Sequence, residues 1–413
     1  MKNNILGVLA KISLVIFAFL LLYYLIPGIT TKVWEGDSIA YHIPISQLIL
    51  SGKIYNPGLA PLFPLIDRGT IYCPGTSEII LAIFWLFHIP LNLFDWVGII
   101  VLFFVMKLLA KSYDFSDDYS TIFASTIACL HVVMRWILSQ TIDVWLAIFF
   151  TLTFILLRKP KKTWQYFLKL GFTFGMFFGS KYSAPIFSVF LLAVYGKPVL
   201  KNLNLKRLIV FLIPFCILGL SWYVRNYILT GNPYYPTDSL LLHLKGYHND
   251  WTIFPVWRSI LVWSGGFIVW INAFVSEYTV WCLAFLAVPV FFFLTHKHLF
   301  KNLRNEIAKL MLLAYPCLFT YLFFPSGFYP NLVTSGFRYT YSPMILLILA
   351  VFILAKKFVK EGALAIIAVT NMLIMPELSY HPKILIALIP AAIAIFYPSK
   401  IREFYHLIKK RYS

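Results

Sequence analysis

Acidic side chains are scarce in this chain: its 413 residues include 16 Asp and Glu against 35 Lys and Arg. Charge of either sign is thin, at 12%, while 60% of the residues are hydrophobic and the mean hydropathy is +0.80. So few ionised groups cannot coat a water-facing globule, which excludes an ordinary soluble domain. Cysteine is sparse and odd in number, at Cys73, Cys129, Cys216, Cys282 and Cys317, and four of the five sit in apolar segments. That pattern excludes a disulfide framework, and no metal-type spacing is present. No internal repeat is visible, so an inverted-repeat transporter lacks support. The apolar runs do not alternate with period two, which removes a transmembrane β-barrel.

Long continuous apolar runs are what the sequence has instead. A bilayer solvates Phe, Leu and Ile directly and demands internally paired backbone, so spanning helices are expected. The fold class is an all-α integral membrane protein, a single multispan unit over 1–413 with no large soluble domain. Spans are expected at 12–30, 92–110, 118–138, 142–157, 164–180, 182–196, 208–224, 277–295, 305–324, 339–355, 361–376 and 383–398, about twelve in all. The N-terminal stretch has a long apolar run and no small-residue cleavage site, so it reads as a retained first helix rather than a signal peptide. Two further stretches, 76–89 and 256–272, are short or interrupted and follow polar loops, so they read as interfacial or re-entrant helices.

Charge tests this assignment. With both termini cytoplasmic and both short stretches outside, 25 of the 35 basic residues fall on inner segments, including the Arg158–Lys162 cluster and Lys356, Lys357 and Lys360. Ten acids and ten bases then share the outer face, and the whole net charge of +19 lies inside. The basic balance therefore needs no nucleic-acid partner, and the expected location is the cell membrane, multi-pass. Two long outer loops remain, about 31–91 and 225–276, rich in Pro, Gly, Tyr and Trp, and long ordered loops usually carry function.

Charges at the outer boundary are costly unless paired or functional. Glu35 and Asp37 open the first outer loop in "VWEGDSIAYHIP", Asp143 starts the fourth span, Lys181 lies between spans five and six, Arg225 ends span seven, and Arg338 begins span ten. Each has a plainer reading. Glu35 is also a solvated loop acid, Asp37 an N-cap before Ser38, Asp143 a cap for its helix, and Lys181, Arg225 and Arg338 snorkelling helix-end cations. Asp117 and Asp118 fall on the cytoplasmic side and read as a solvated cap, and His88, His243 and His248 show no ligand spacing.

Several segments, taken in order, resemble one family. They are "WEGDSIAYHIPISQLILSGKIY", "IYCPGTSEIILAIF", "SQTIDVWLAIFFTLTFILLRK", "GSKYSAP", "SWYVRNYILTGNPYYP" and "SGFRYTYSPMILLILA", spread over about residues 1–350. Together they resemble the GT-C superfamily of membrane glycosyltransferases, of the dolichyl-phosphate-mannose mannosyltransferase and aminoarabinose transferase type. The resemblance implies an outer-face site, a polyprenyl-phosphate-linked sugar donor, inversion at the sugar, and Asp37 as general base on an acceptor hydroxyl of a lipid, glycan or protein. Lys181, Arg225 and Arg338 are the cations available to the donor phosphate, and Tyr41, His42, Asp143, Asn226 and Tyr339 are expected to shape the site. Some members hold Mg²⁺ or Mn²⁺ with an acidic pair, and Glu35 with Asp37 has that Glu-x-Asp form. This sequence departs from the family at Ser38, where many mannosyltransferases carry a second acid directly after the first, and at Cys73, which precedes Pro74 and Gly75 in place of a further proline. A transporter or lipid flippase would want ionisable groups near mid-membrane, where these spans have almost none. A glycan polymerase or ligase would use outer arginines without requiring a first-loop carboxylate.

Overall fold

The computed structural model describes residues 2–55, 70–235, 244, 256–262, 266–295, 300–323, 336–358 and 361–374. The expected span 383–398, His243, His248 and parts of both long loops lie outside them. The described chain is helical: α1 (Lys2–Thr30), α2 (Ile43–Leu50), α3 (Glu78–Leu86), α4 (Phe94–Lys111), α5 (Asp117–Ala128), α6 (His131–Met134), α7 (Asp143–Arg158), α8 (Trp164–Phe178), α9 (Ser183–Leu200), α10 (Leu205–Phe215), α11 (Ser221–Thr230), α12 (Val256–Val262), α13 (Gly266–Tyr278), α14 (Ala284–Thr295), α15 (Lys301–Tyr321), α16 (Tyr341–Phe358) and α17 (Glu361–Leu373). Several start where the sequence offers a cap. Ser116, Thr163 and Asn204 each accept the backbone N–H three residues on, satisfying a donor left open by the first turn.

Six helical stretches among the described residues are long and apolar enough to cross a membrane: Ile5–Thr30, Leu91–Lys111, Ser183–Leu200, Leu205–Thr230, Gly266–Thr295 and Phe337–Phe358. The protein is thus multi-pass, and these six overlap six of the expected spans. Three differences stand out. The expected span at 118–138 is a 12-residue helix, α5, which breaks after Cys129 where Leu130 turns extended; residues 119–130 are all buried, so protein rather than lipid surrounds the break. The stretch 256–272 is not an isolated interfacial element, because its second half belongs to α13 and runs on into α14 as one 30-residue apolar stretch. The second long loop is correspondingly shorter at both ends, since helix continues to Thr230 and resumes with α12 at Val256, before α13 begins at Gly266.

Burial ranks the helices. The Phe337–Phe358 stretch is 78% buried within the protein, against 22% for Leu205–Thr230 and Gly266–Thr295, so it is a central pillar and the other two are peripheral and lipid-facing. The pillar α16 packs on α7, α14 and α15, and α7 packs on α4 and α8. Both α7 and α16 run the same way, from Asp143 and Arg338 at one end to Arg158, Lys356 and Lys357 at the other. Sixteen residues of α7 span roughly 24 Å at 1.5 Å per residue, close to a hydrocarbon core. Hence the end with Asp143 and Arg338 and the lysine-rich end lie at opposite ends of these helices. At the basic end, Arg158 and Tyr113 both bond Glu306, at 2.7 and 2.8 Å, and Lys107 and Lys111 pair with Asp117 at 3.0 and 2.7 Å.

Glycines set the closest approach. Gly171, Gly175 and Gly179 lie four apart on one face of α8, against α10 and the π-helical turn Cys216–Leu220 that follows it. A Cβ on Gly171 would overlap the Phe211 carbonyl oxygen, one on Gly175 would sit 2.9 Å from the Pro214 oxygen, and one on Gly179 would overlap Thr76 Oγ1 and the Leu218 oxygen. Small residues at this spacing let two helix backbones meet in lipid, where apolar transfer gives no driving force between them. Gly171→Ala is expected to lower stability by about 1–3 kcal/mol through overpacking. Thermal unfolding in detergent checks this, with Gly196→Ala, whose nearest neighbour would lie at 3.5 Å, expected to leave it unchanged.

Candidate functional site

The first loop is fastened before it reaches the site. Glu35 caps its own turn: Oε1 accepts the Asp37 N–H at 3.0 Å, and Oε2 accepts both the Ser38 N–H and the Ser38 hydroxyl at 2.6 Å. Ser38 Oγ in turn accepts the Gln140 N–H at 3.0 Å, and Gln140 Nε2 donates to Asn92, which donates to Thr31. Residues 31–38 are therefore tied to the chain between α6 and α7. That chain is anchored on Asp95, which accepts from Ser139 and Thr141 at 3.0 and 2.9 Å.

This fastening places Asp37 against the pillar. Arg338 Nη2 donates to Asp37 Oδ2, Arg338 Nε lies 3.4 Å from Asp143 Oδ2, and Lys181 Nζ donates to Asp143 Oδ1 at 2.6 Å. Four charges from four distant segments form one alternating row: Asp37, Arg338, Asp143, Lys181. The middle of the row is the deepest, at 7% exposure for Arg338 and 8% for Asp143, and the ends are more open, at 17% for Lys181 and 38% for Asp37, so Asp37 is the accessible lip. Arg338 Nη1 makes no hydrogen bond among the described residues. Tyr339 lies under the Lys181 ammonium at 3.9 Å, and the Arg338 guanidinium is 5.2 Å from the Trp136 ring and 5.4 Å from that of Tyr339.

Electrostatics follows the geometry. Burial pushes the Asp37 carboxyl up, but the charge and hydrogen bond of Arg338, helped by His42 and Lys181, outweigh it and hold the group below its ordinary value. Burial, then the Asp37 and Tyr339 charges, pushes the Tyr41 phenol well above the usual range, so it stays a neutral hydroxyl. Burial and the Glu78 carboxylate push the Cys73 thiol up to about 12, and the same thiol feels Lys181, Asp37 and Arg225.

Further side chains surround the row, and only some of them were expected. His42 was among the expected residues; its Nδ1 bonds Glu78 Oε1 at 2.7 Å with both side chains fully buried, and Tyr41 packs on its ring at 4.1 Å. Glu78 was missed, though the "TSE" start of α3 carried a signal, an acid in a helix's first turn beside an outer loop. Arg225 does not join the row. Its Nε and Nη2 donate to the carbonyls of Ile54 and Ile71 at 2.8 and 3.2 Å, it stands near the Tyr72 and Trp222 rings, and no carboxylate pairs with it among the described residues. Asn226 donates to the Tyr72 carbonyl at 2.8 Å and the Tyr182 hydroxyl at 2.9 Å. Arg225 and Asn226 thus hold the ends of the first and second long loops together.

Glu35 spends both carboxylate oxygens within its own turn and Asp37 faces a guanidinium. The Glu-x-Asp pair therefore does not present two free carboxylates to a divalent cation, and no group of three or more His, Cys, Asp or Glu suited to a metal occurs among the described residues. Glu35→Gln, which keeps one acceptor, is expected to cost about 1 kcal/mol, and Glu35→Ala distinctly more, both read by thermal unfolding in detergent.

No protein-family model matches the chain and no curated protein matches it. Among solved structures, it is similar to ArnT from Cupriavidus metallidurans bound to undecaprenyl phosphate, at 12% identity and a TM-score of 0.51, over 92% of this chain and 70% of that one. It is similar also to apo ArnT of the same organism, at 11% identity and a TM-score of 0.50, over 92% and 73%. At this identity the likeness speaks for architecture alone: the chain shares the fold of the ArnT structures.

Proposed function

We propose that this protein is an inverting glycosyltransferase that moves a sugar from a polyprenyl-phosphate donor to a hydroxyl of a lipid, glycan or protein on the outer face of the membrane. The observation that carries this reading is the row Asp37, Arg338, Asp143, Lys181 at the end of the central helix. It sets a carboxylate at the accessible lip and two cations behind it, as a displacement at an anomeric carbon requires. The fold shared with a structure bound to undecaprenyl phosphate supports a donor of that class.

Each residue then has a task. The acceptor hydroxyl gives its proton to Asp37 as its oxygen bonds the anomeric carbon from the face opposite the phosphate. The bond between that carbon and the phosphate oxygen breaks, its electron pair stays on the phosphate, and configuration inverts. Arg338, whose Nη1 makes no hydrogen bond among the described residues, and Lys181 stabilise the negative charge that grows there. Asp143 holds both cations in place while no phosphate is bound, since a buried guanidinium is costly without an anion. Tyr41 and His42 wall the carboxylate, and Glu78 fixes the His42 ring. Arg225 and Asn226 keep the two loops closed around the donor.

The placement of charge favours an enzyme over a transporter. In α7 and α16 the charged groups stand at the helix ends and the residues between carry no charge, so neither helix lines a charged path at mid-membrane.

Purified protein incubated with radiolabelled polyprenyl-phosphate sugars tests the proposal: transfer to a hydroxyl acceptor with inverted configuration is expected, and absence of transfer across donors and acceptors contradicts it. Asp37→Asn is expected to cut the rate about 10²–10⁴-fold with folding intact. The acid limb of the rate due to Asp37 should lie below the ordinary aspartate value of 3.8, because the base is needed ionised and its pKa is lowered. In Arg338→Ala burial remains and the opposing cation is gone, so the limb of the residual rate should move up. A pH–rate profile of both proteins reads the shift.

A further inference from the structure

A second cavity lies at the opposite, lysine-rich end of the protein. It measures about 240 Å³ and is lined by side chains of α7 to α10 and the turn between α9 and α10, among them Leu157, Phe167, Phe174, Gly196, Leu203 and Phe211. All its lining residues are apolar, so it is not a site for a sugar or a free anion. It is not closed off: two of its walls, Leu192 and Leu200, are 45% and 66% exposed on α9, a helix long and apolar enough to cross a membrane. Its width depends on Gly196, where an added Cβ would meet only Leu192 of its own helix at 3.5 Å.

The rim of the cavity is the second observation. The α7–α8 and α9–α10 connections and the first turn of α10 carry Lys159, Lys161, Lys162, Lys201, Lys206 and Arg207. Between Asp143 and Asp238 the sequence has no acidic residue, so nothing in these segments neutralises that charge. Arg158 is the neighbour already matched, by Glu306 from α15. The N-termini of α8 and α10, with their positive dipole ends, point the same way. Exposed Trp164 stands at this rim, where an indole suits the boundary of headgroups and chains.

We infer that this cavity holds one chain of an anionic phospholipid of the leaflet on the lysine-rich side, with the headgroup phosphate against Lys201, Lys206 and Arg207. The cavity has room for a length of one hydrocarbon chain and none for a headgroup, which leaves the charged part outside, where the cations are. The lipid fills the gap left by Gly196 and wedges α8, α9 and α10. The site is independent of sugar transfer at the other face.

Native mass spectrometry of the full chain in detergent, with dioleoylphosphatidylglycerol, dioleoylphosphatidylcholine or inorganic phosphate added, tests the inference. The wild-type protein should retain one phosphatidylglycerol about tenfold or more over phosphatidylcholine, and no phosphate. Gly196→Leu, which fills the cavity, should abolish that retention. Lys201→Ala, Lys206→Ala and Arg207→Ala combined should bind the two lipids alike; Lys201 and Lys206 are exposed, and Arg207 is half-buried with Nη1 donating to the Asn202 carbonyl at 2.6 Å. Equal retention of both lipids by the wild-type protein, undiminished retention by Gly196→Leu, or binding of phosphate alone would each overturn it.

Discussion

A buried arginine at the start of the most buried of the six long apolar stretches is the constraint around which this protein is arranged. Arg338 stands just ahead of α16, where the helix dipole is already positive, so cation and dipole repel each other and together call for anions. Asp37 and Asp143 supply them from opposite directions. Asp143 opens α7, and Lys181 lies two residues before α9, so the N-termini of three helices meet on one level. A region built to attract negative charge, lipped by one accessible carboxylate, suits a lipid phosphate whose charge grows as its sugar leaves.

Much of this was legible because charge is rare in the chain. When charged residues make up 12% of the chain, each one at the end of an apolar helix must be accounted for, and Asp37, Asp143, Lys181 and Arg338 stood out for that reason. What the sequence could not show is pairing. Glu35 and Asp37 look alike two residues apart, yet backbone geometry turns one inward to cap a turn and the other toward Arg338. Arg225 likewise resembles Arg338 as a helix-end cation, but its guanidinium meets the carbonyls of a loop more than 150 residues earlier, a contact with no local signature. Glu78 was passed over because nothing nearby in sequence pairs with it; its partner is His42.

The helices show the same division. Hydropathy located the long apolar stretches, because a continuous run of apolar residues has one cheap solution in lipid. It failed where protein replaces lipid: α5 ends at Ala128 inside an apolar run with no Gly or Pro to mark the break, where backbone turns from Leu130 to Ile127 and from Val133 to Leu130 satisfy the chain in a buried setting. The glycine spacing of α8 was in plain view but gains meaning only beside α10, whose carbonyls come too close for any side chain.

A structure determined with a polyprenyl phosphate bound tests the central claim most directly. The account predicts phosphate oxygens within hydrogen-bond reach of Arg338 and Lys181, with the Asp37 carboxylate released from the guanidinium and open to the acceptor side. A phosphate bound elsewhere while Asp37 and Arg338 remain paired would contradict it.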